Sequence, residues 1–160
     1  MRRWRVDKPG GTFGVVDIGQ TPLGANHVCV RIAASGVNPL DTKIRAGKAA
    51  HARQPLPAVL GLDMAGTVQE VGRGVTALKT GDEVFGMVGG VGGLQGTLAE
   101  VIDADADLLA RKPQNLLMRE AAALPLVFIT AWEALVDQAK VSEGQTVLVH
   151  SCDTSDLLRA

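Results

Sequence analysis

The order of apolar and polar positions changes character near residue 113. Before it, short stretches alternate with period two, as strands with one buried face do. In His27-Val28-Cys29-Val30-Arg31-Ile32 the alternation places Val28, Val30 and Ile32 on one face and His27, Cys29 and Arg31 on the other. Residues 64–71 form a second predicted strand, ended by Gly72-Arg73-Gly74. A third, 83–88, is entered through Lys79-Thr80-Gly81-Asp82, and a fourth covers 97–102, beyond the glycine-rich run 89–93. Short strands at this spacing, separated by glycine turns, predict a barrel or sandwich. One helix interrupts them. Asn38 is a good cap, Pro39 suits the first helical position, Asp41 falls in the first turn, and Gly47 stops the helix after Ala46.

After Arg111-Lys112-Pro113 the period becomes helical. Residues 118–124 predict a short helix closed by Pro125. Residues 126–139 predict a longer one, with Phe128, Trp132, Leu135, Val136 and Ala139 at helical spacing. A turn at Ser142-Glu143-Gly144 then leads to 146–150, a continuously apolar run of the kind found in buried parallel strands. Such a strand needs neighbours on both sides.

Composition narrows the function classes. The 160 residues carry 16 Lys+Arg against 17 Asp+Glu, with 46% hydrophobic residues. A core-forming, nearly neutral chain is folded, and it has no basic excess with which to hold nucleic acid or an anionic membrane. Cys29 and Cys152 make no disulfide framework, which points to a reducing cytoplasm. The longest apolar stretch, 121–132, falls short of the ~18–20 residues that cross a bilayer. Arg2, Arg3 and Arg5 are not followed by the apolar region of a signal peptide.

Candidate chemistry is sparse. The glycines of 89–96 precede a strand, not a helix, so they read as a turn or flap and not as a phosphate cradle. Residues 72–77 satisfy G-x-G-x-x-A, but Leu78-Lys79-Thr80-Gly81-Asp82 cannot be the helix a dinucleotide fingerprint requires. His27, His51, His150 and the two cysteines lack metal-ligand spacing, so no metal site is expected. Capping alone explains Asn38 and Asp41. Lys43 reads as a solvated helix residue, and Thr130 either bonds back to a carbonyl or faces a ligand.

Taken together, several segments resemble the medium-chain dehydrogenase/reductase superfamily. They are Ala34-Ser35-Gly36-Val37-Asn38-Pro39-Leu40-Asp41, the run 57–68, Gly81-Asp82-Glu83-Val84-Phe85-Gly86, Gly96-Thr97-Leu98-Ala99-Glu100 and the helix 124–132. Within that superfamily the chain is most similar to the zinc-independent quinone oxidoreductases, the group that includes zeta-crystallin. The zinc alcohol dehydrogenases carry Cys at or near Asn38 and His-Glu in place of Leu62-Asp63. The resemblance implies a mainly β chain with short helices: a GroES-like catalytic barrel over 1–113, then the first helix and strand of a Rossmann domain over 114–150. It implies NADPH as cofactor and a quinone or conjugated enone as substrate. Asn38 and Thr130 match positions that contact the cofactor near the nicotinamide. Asp41 would hold the Asn38 loop, and Lys43, where many relatives carry Tyr, would offer a proton or attract an anionic substrate group. Where the family continues with a glycine-rich turn, residues 151–160 contain no glycine. This chain alone is therefore expected to be an inactive catalytic half that binds NADPH weakly and self-associates through an exposed C-terminal segment. Two rival expectations are a non-enzymatic domain that binds a protein partner and a zinc-type alcohol dehydrogenase relative.

Overall fold

The structure, a computed structural model, describes residues 1–17, 19 and 22–149. Its strands form two antiparallel sheets. β1 (Arg2–Val6) lies between β2 (Phe13–Asp17) and β4 (Ala58–Val59). The larger sheet has the order β7-β3-β5-β6-β8, built from β3 (His27–Ser35), β5 (Asp63–Val71), β6 (Glu83–Met87), β7 (Val101–Asp105) and β8 (Ala110–Arg111). The predicted second and third strands are present with nearly the expected bounds.

The alternation of β3 sets its inner face. Val28 and Val30 are fully buried against Met64, Val68, Val84 and Ile102, and Ile32 packs on the same cluster. Arg31 on the other face is exposed. Cys29 departs from the pattern: it is buried too, beside a register shift between Cys29 and Val30.

The predicted strand 97–102 is regular only from Val101, because this segment changes sheets. Its first half is bonded to the smaller sheet, with Trp4 N–H donating to Leu98 O at 2.9 Å and Leu98 N–H to Leu60 O at 2.9 Å. Its second half pairs with β3 through Arg31 and Val30. A strand that switches partners at a corner in this way joins the two sheets.

Helix α1 (Pro39–Arg45) forms as its end signals predict, and Gly47 takes the left-handed conformation (φ +70°) just past its end. Beneath it lies a second core of Val6, Ile44, Ala49, Ala52, Ala58 and Leu60. The glycine-rich segment 89–96 is a fastened turn. Gly92 N–H donates to Ala52 O at 2.8 Å, and Gln54 bonds both Gly93 N–H (2.8 Å) and Leu94 O (3.0 Å). The G-x-G-x-x-A match at 72–77 is followed by no helix. Its Gly72 and Gly74 amides donate to His27 O and Ala25 O, each at 2.8 Å.

Two short helices come next, α2 (Met118–Ala121) and α3 (Pro125–Trp132), the latter running on as a π-helix over Glu133–Gln138. Small residues bring α2 against the sheet, where Ala121 and Ala122 pack on Ala65. The predicted stripe of the longer helix is formed but bare: Phe128, Trp132 and Val136 are 48%, 50% and 43% exposed. Residues 146–149 form no strand. No described strand stands beside them, and Leu148 is exposed. His150 and the tail 151–160 lie outside the described residues, and the strand edge at 146–150 from which self-association is expected is not formed over 146–149. Among the described residues no helix is long and apolar enough to cross a membrane.

Candidate active site

Four chain segments converge where β3 ends. The loop after Ser35 turns at Gly36, whose N–H donates to Asp63 O at 3.0 Å. A Cβ on Gly36 would meet Ala122 O and sit 3.0 Å from the Asp63 Cβ, so only glycine lets this loop pass between β5 and α2. The chain then enters α1 through Asn38 in an extended conformation, with Pro39 fixing the first turn. The third and fourth contributors are Asp63, the first residue of β5, and the start of α3.

Within this knot Asn38, Asp41 and Asp63 are all buried. Asp41 closes a capping box by accepting the Asn38 backbone N–H at 2.8 Å. The Asn38 side chain reaches further: its Nδ2 donates to Asp63 Oδ2 at 3.0 Å. The same oxygen accepts the Leu126 backbone N–H at 3.3 Å. Leu126 follows Pro125 in the first turn of α3, where backbone donors have no partner within the helix. One turn on, the Thr130 hydroxyl donates to Leu126 O at 2.8 Å. Asp63 Oδ1 is buried and has no hydrogen-bond partner.

Burial without full satisfaction governs the electrostatics. Removal from water pushes the Asp63 carboxyl up to about 6, against the stabilising bonds from Asn38 and Leu126, and the nearby Asp41 charge adds to the rise. Burial likewise raises Asp41, with the Asn38 backbone N–H the largest opposing contribution.

The structure thus brings together three residues singled out in the sequence, Asn38, Asp41 and Thr130, through a fourth that was not. Thr130 is back-bonded and also exposed, so its oxygen keeps lone pairs to accept from a ligand. Lys43 stands apart, exposed on α1, because residues two apart on a helix do not share a face. Asp63 was missed although a signal existed: it is an acid inside the apolar run 58–68, and Asp is depleted in strands. Beside this knot lies an almost wholly apolar cleft of about 220 Å³, lined by Phe13, Val37, Asp41, Arg45, Leu60 and Leu98 among others. Among the described residues no three His, Cys, Asp or Glu side chains are grouped to hold a metal ion.

Comparison with known proteins gives the family of the chain. Residues 24–114 match the alcohol dehydrogenase GroES-like domain. The chain belongs to that family, within the medium-chain dehydrogenase/reductase superfamily. It is 44% identical over 128 residues, 78% of its length, to the 2-methylene-furan-3-one reductase of Solanum lycopersicum. An alcohol dehydrogenase superfamily protein from Novosphingobium aromaticivorans superposes with a TM-score of 0.89 at 55% identity, covering 91% of this chain. The Escherichia coli quinone oxidoreductase, solved in complex with NADPH, superposes at 0.71 with 29% identity over 87% of this chain. The chain spans 33% of the Solanum reductase and 44% and 41% of the two solved structures. The matched residues include the whole larger sheet, β4 of the smaller one and the loop that carries Asn38, while β1 and β2 precede them.

Proposed function

We propose that this chain is the nicotinamide-contacting part of a zinc-independent, NADPH-dependent oxidoreductase that reduces a quinone or a conjugated enone. The observation that carries the reading is the buried Asn38 amide, fixed by Asp63 below the start of the helix that presents Thr130. The donor set fits the cofactor. The Asn38 side chain, bonded to Asp63 and also to Asp41, is itself an amide, and the exposed Thr130 oxygen can accept, two groups able to meet a carboxamide. When bound, NADPH supplies the hydride.

The protein's part is orientation. Asn38 and Thr130 hold the nicotinamide end, and Asp41 fixes the loop from which Asn38 projects. The apolar cleft beside them suits an uncharged planar substrate better than a charged one. Lys43, exposed on α1 and not among the residues lining the cleft, lies outside this arrangement, so the proton-donor or anion-attracting role implied by the resemblance is not carried into this reading.

The test is a fusion of residues 1–149 to the C-terminal part of the Novosphingobium protein, assayed with NADPH and a panel of enones and quinones. Reduction without added zinc is expected. Asn38→Ala should lower kcat/KM by about tenfold, through both terms, since losing orientation costs rate as well as affinity. Thr130→Val should act the same way but less, while Lys43→Ala, at an exposed position off the cleft lining, should leave both kcat and the NADPH KM unchanged. A fusion that oxidises alcohols only when loaded with zinc would replace this reading with a zinc dehydrogenase.

A further inference from the structure

Asp63 is completely buried, yet it is a carboxyl with one oxygen doubly engaged and the other without a partner. An acid is a costly way to hold a strand end, because its burial is offset only by strong, well-aimed bonds. Both of its bonds go to the proposed cofactor side: one to the Asn38 amide, one to the backbone that starts α3. A carboxylate makes such bonds roughly twice as strong as a neutral acceptor would.

We propose that Asp63 is the positioning residue of this site, a proton-linked clasp that aims Asn38 and couples its orientation to the seating of α3. The inference rests on Asn38 facing the nicotinamide. Its physical basis is the asymmetry of the two oxygens. A proton arriving at Asp63 goes to the unpartnered Oδ1, leaving Oδ2 as a neutral acceptor. Both bonds then persist but slacken, and Asn38 gains freedom. Asp41, across the Asn38 turn on α1, is the titratable group whose charge acts on Asp63, and it favours protonation. The midpoint of the change therefore falls near 6, a short step below neutrality.

The clasp can be read on the whole chain without catalysis. In nuclear magnetic resonance spectra taken from pH 7.5 to 5, the Asn38 side-chain N–H and the Leu126 backbone N–H should move together with one midpoint near 6. Asp63→Asn, nearly isosteric and a neutral acceptor at every pH, should remove the transition and fix both signals near the wild type's acid positions. NADPH titrations supply the second readout. The ratio of wild-type to Asp63→Asn affinity cancels titration of the cofactor's own phosphate, and it should fall about threefold to tenfold between pH 7.5 and 5. Asn38 and Leu126 signals that do not titrate, or that titrate equally in Asp63→Asn, would overturn the clasp. A normal titration in a chain whose Asn38 signal ignores NADPH would instead preserve the clasp and refute the cofactor reading on which its role depends.

Discussion

Gly96→Ala is expected to cost several kcal/mol, on the order of 3 or more, whereas Gly92→Ala should cost about 1. The two glycines stand in the same turn and differ in what surrounds them. A Cβ on Gly96 would run into the carbonyl group of Leu60 and approach Val59 O, all of it backbone that cannot swing aside. Those atoms hold the corner together: Gly96 N–H donates to Val59 O at 3.0 Å, and Leu98 N–H to Leu60 O at 2.9 Å. Forcing them apart breaks the seam between the two sheets, an overpacking cost with no flexible partner to absorb it. Gly92 has open space around it, so its substitution strains only a left-handed backbone, φ +64°. Urea unfolding of both variants measures the contrast. Equal, small losses would mean that the turn is a loose flap after all.

The second large effect is on stability against pH. Asp63 ionises near 3.8 in an unfolded chain and near 6 in the folded one. Across that interval the folded chain holds a proton that the unfolded chain has released. Stability attributable to Asp63 therefore falls as pH rises from about 4 to 6 and is level above that. The full drop is roughly 3 kcal/mol, the free energy equivalent of the change in ionisation. Asp41, also raised by burial, acts in the same direction. Exposed pairs such as Arg2–Glu100 act in the opposite one, since Glu100 is held below its usual range by its bonds to Arg2. The quantity to measure is therefore the difference between wild type and Asp63→Asn in urea, from pH 4 to 7.5. The wild type should lose ground to the variant as pH rises to 6. A difference that stays constant with pH would show that Asp63 is ionised, or solvated, throughout.

The sequence pattern revealed what is periodic or local and hid what is assembled from a distance. β3, β5 and β6 were readable because one face of each is buried in a single core. α1 was readable because its end signals are all within ten residues. β1 escaped notice, since Arg2, Arg3 and Arg5 around Trp4 do not look like a strand until β2 and β4 flank it. The segment 97–102 looked like one strand because its change of partner between sheets leaves no mark on residue type. The helix over 125–138 was legible from spacing, but burial was not: a stripe of Phe128, Trp132 and Val136 describes a face and not what covers it. At the site, capping accounted for Asn38 and Asp41 equally well until the structure placed Asp63, 25 residues on, against the Asn38 amide. A contact between a loop and the first residue of a distant strand has no local signature.

The central claim is that the nicotinamide end of NADPH meets Asn38 and Thr130. It is measured most directly by titrating the isotope-labelled chain with reduced nicotinamide mononucleotide and, separately, with adenosine 2′,5′-bisphosphate. The mononucleotide is expected to move the Asn38 side-chain amide and the Thr130 signals together at millimolar concentration, and the adenosine half to leave them in place. Shifts confined to other surfaces, with Asn38 and Thr130 unmoved by the mononucleotide, would contradict it.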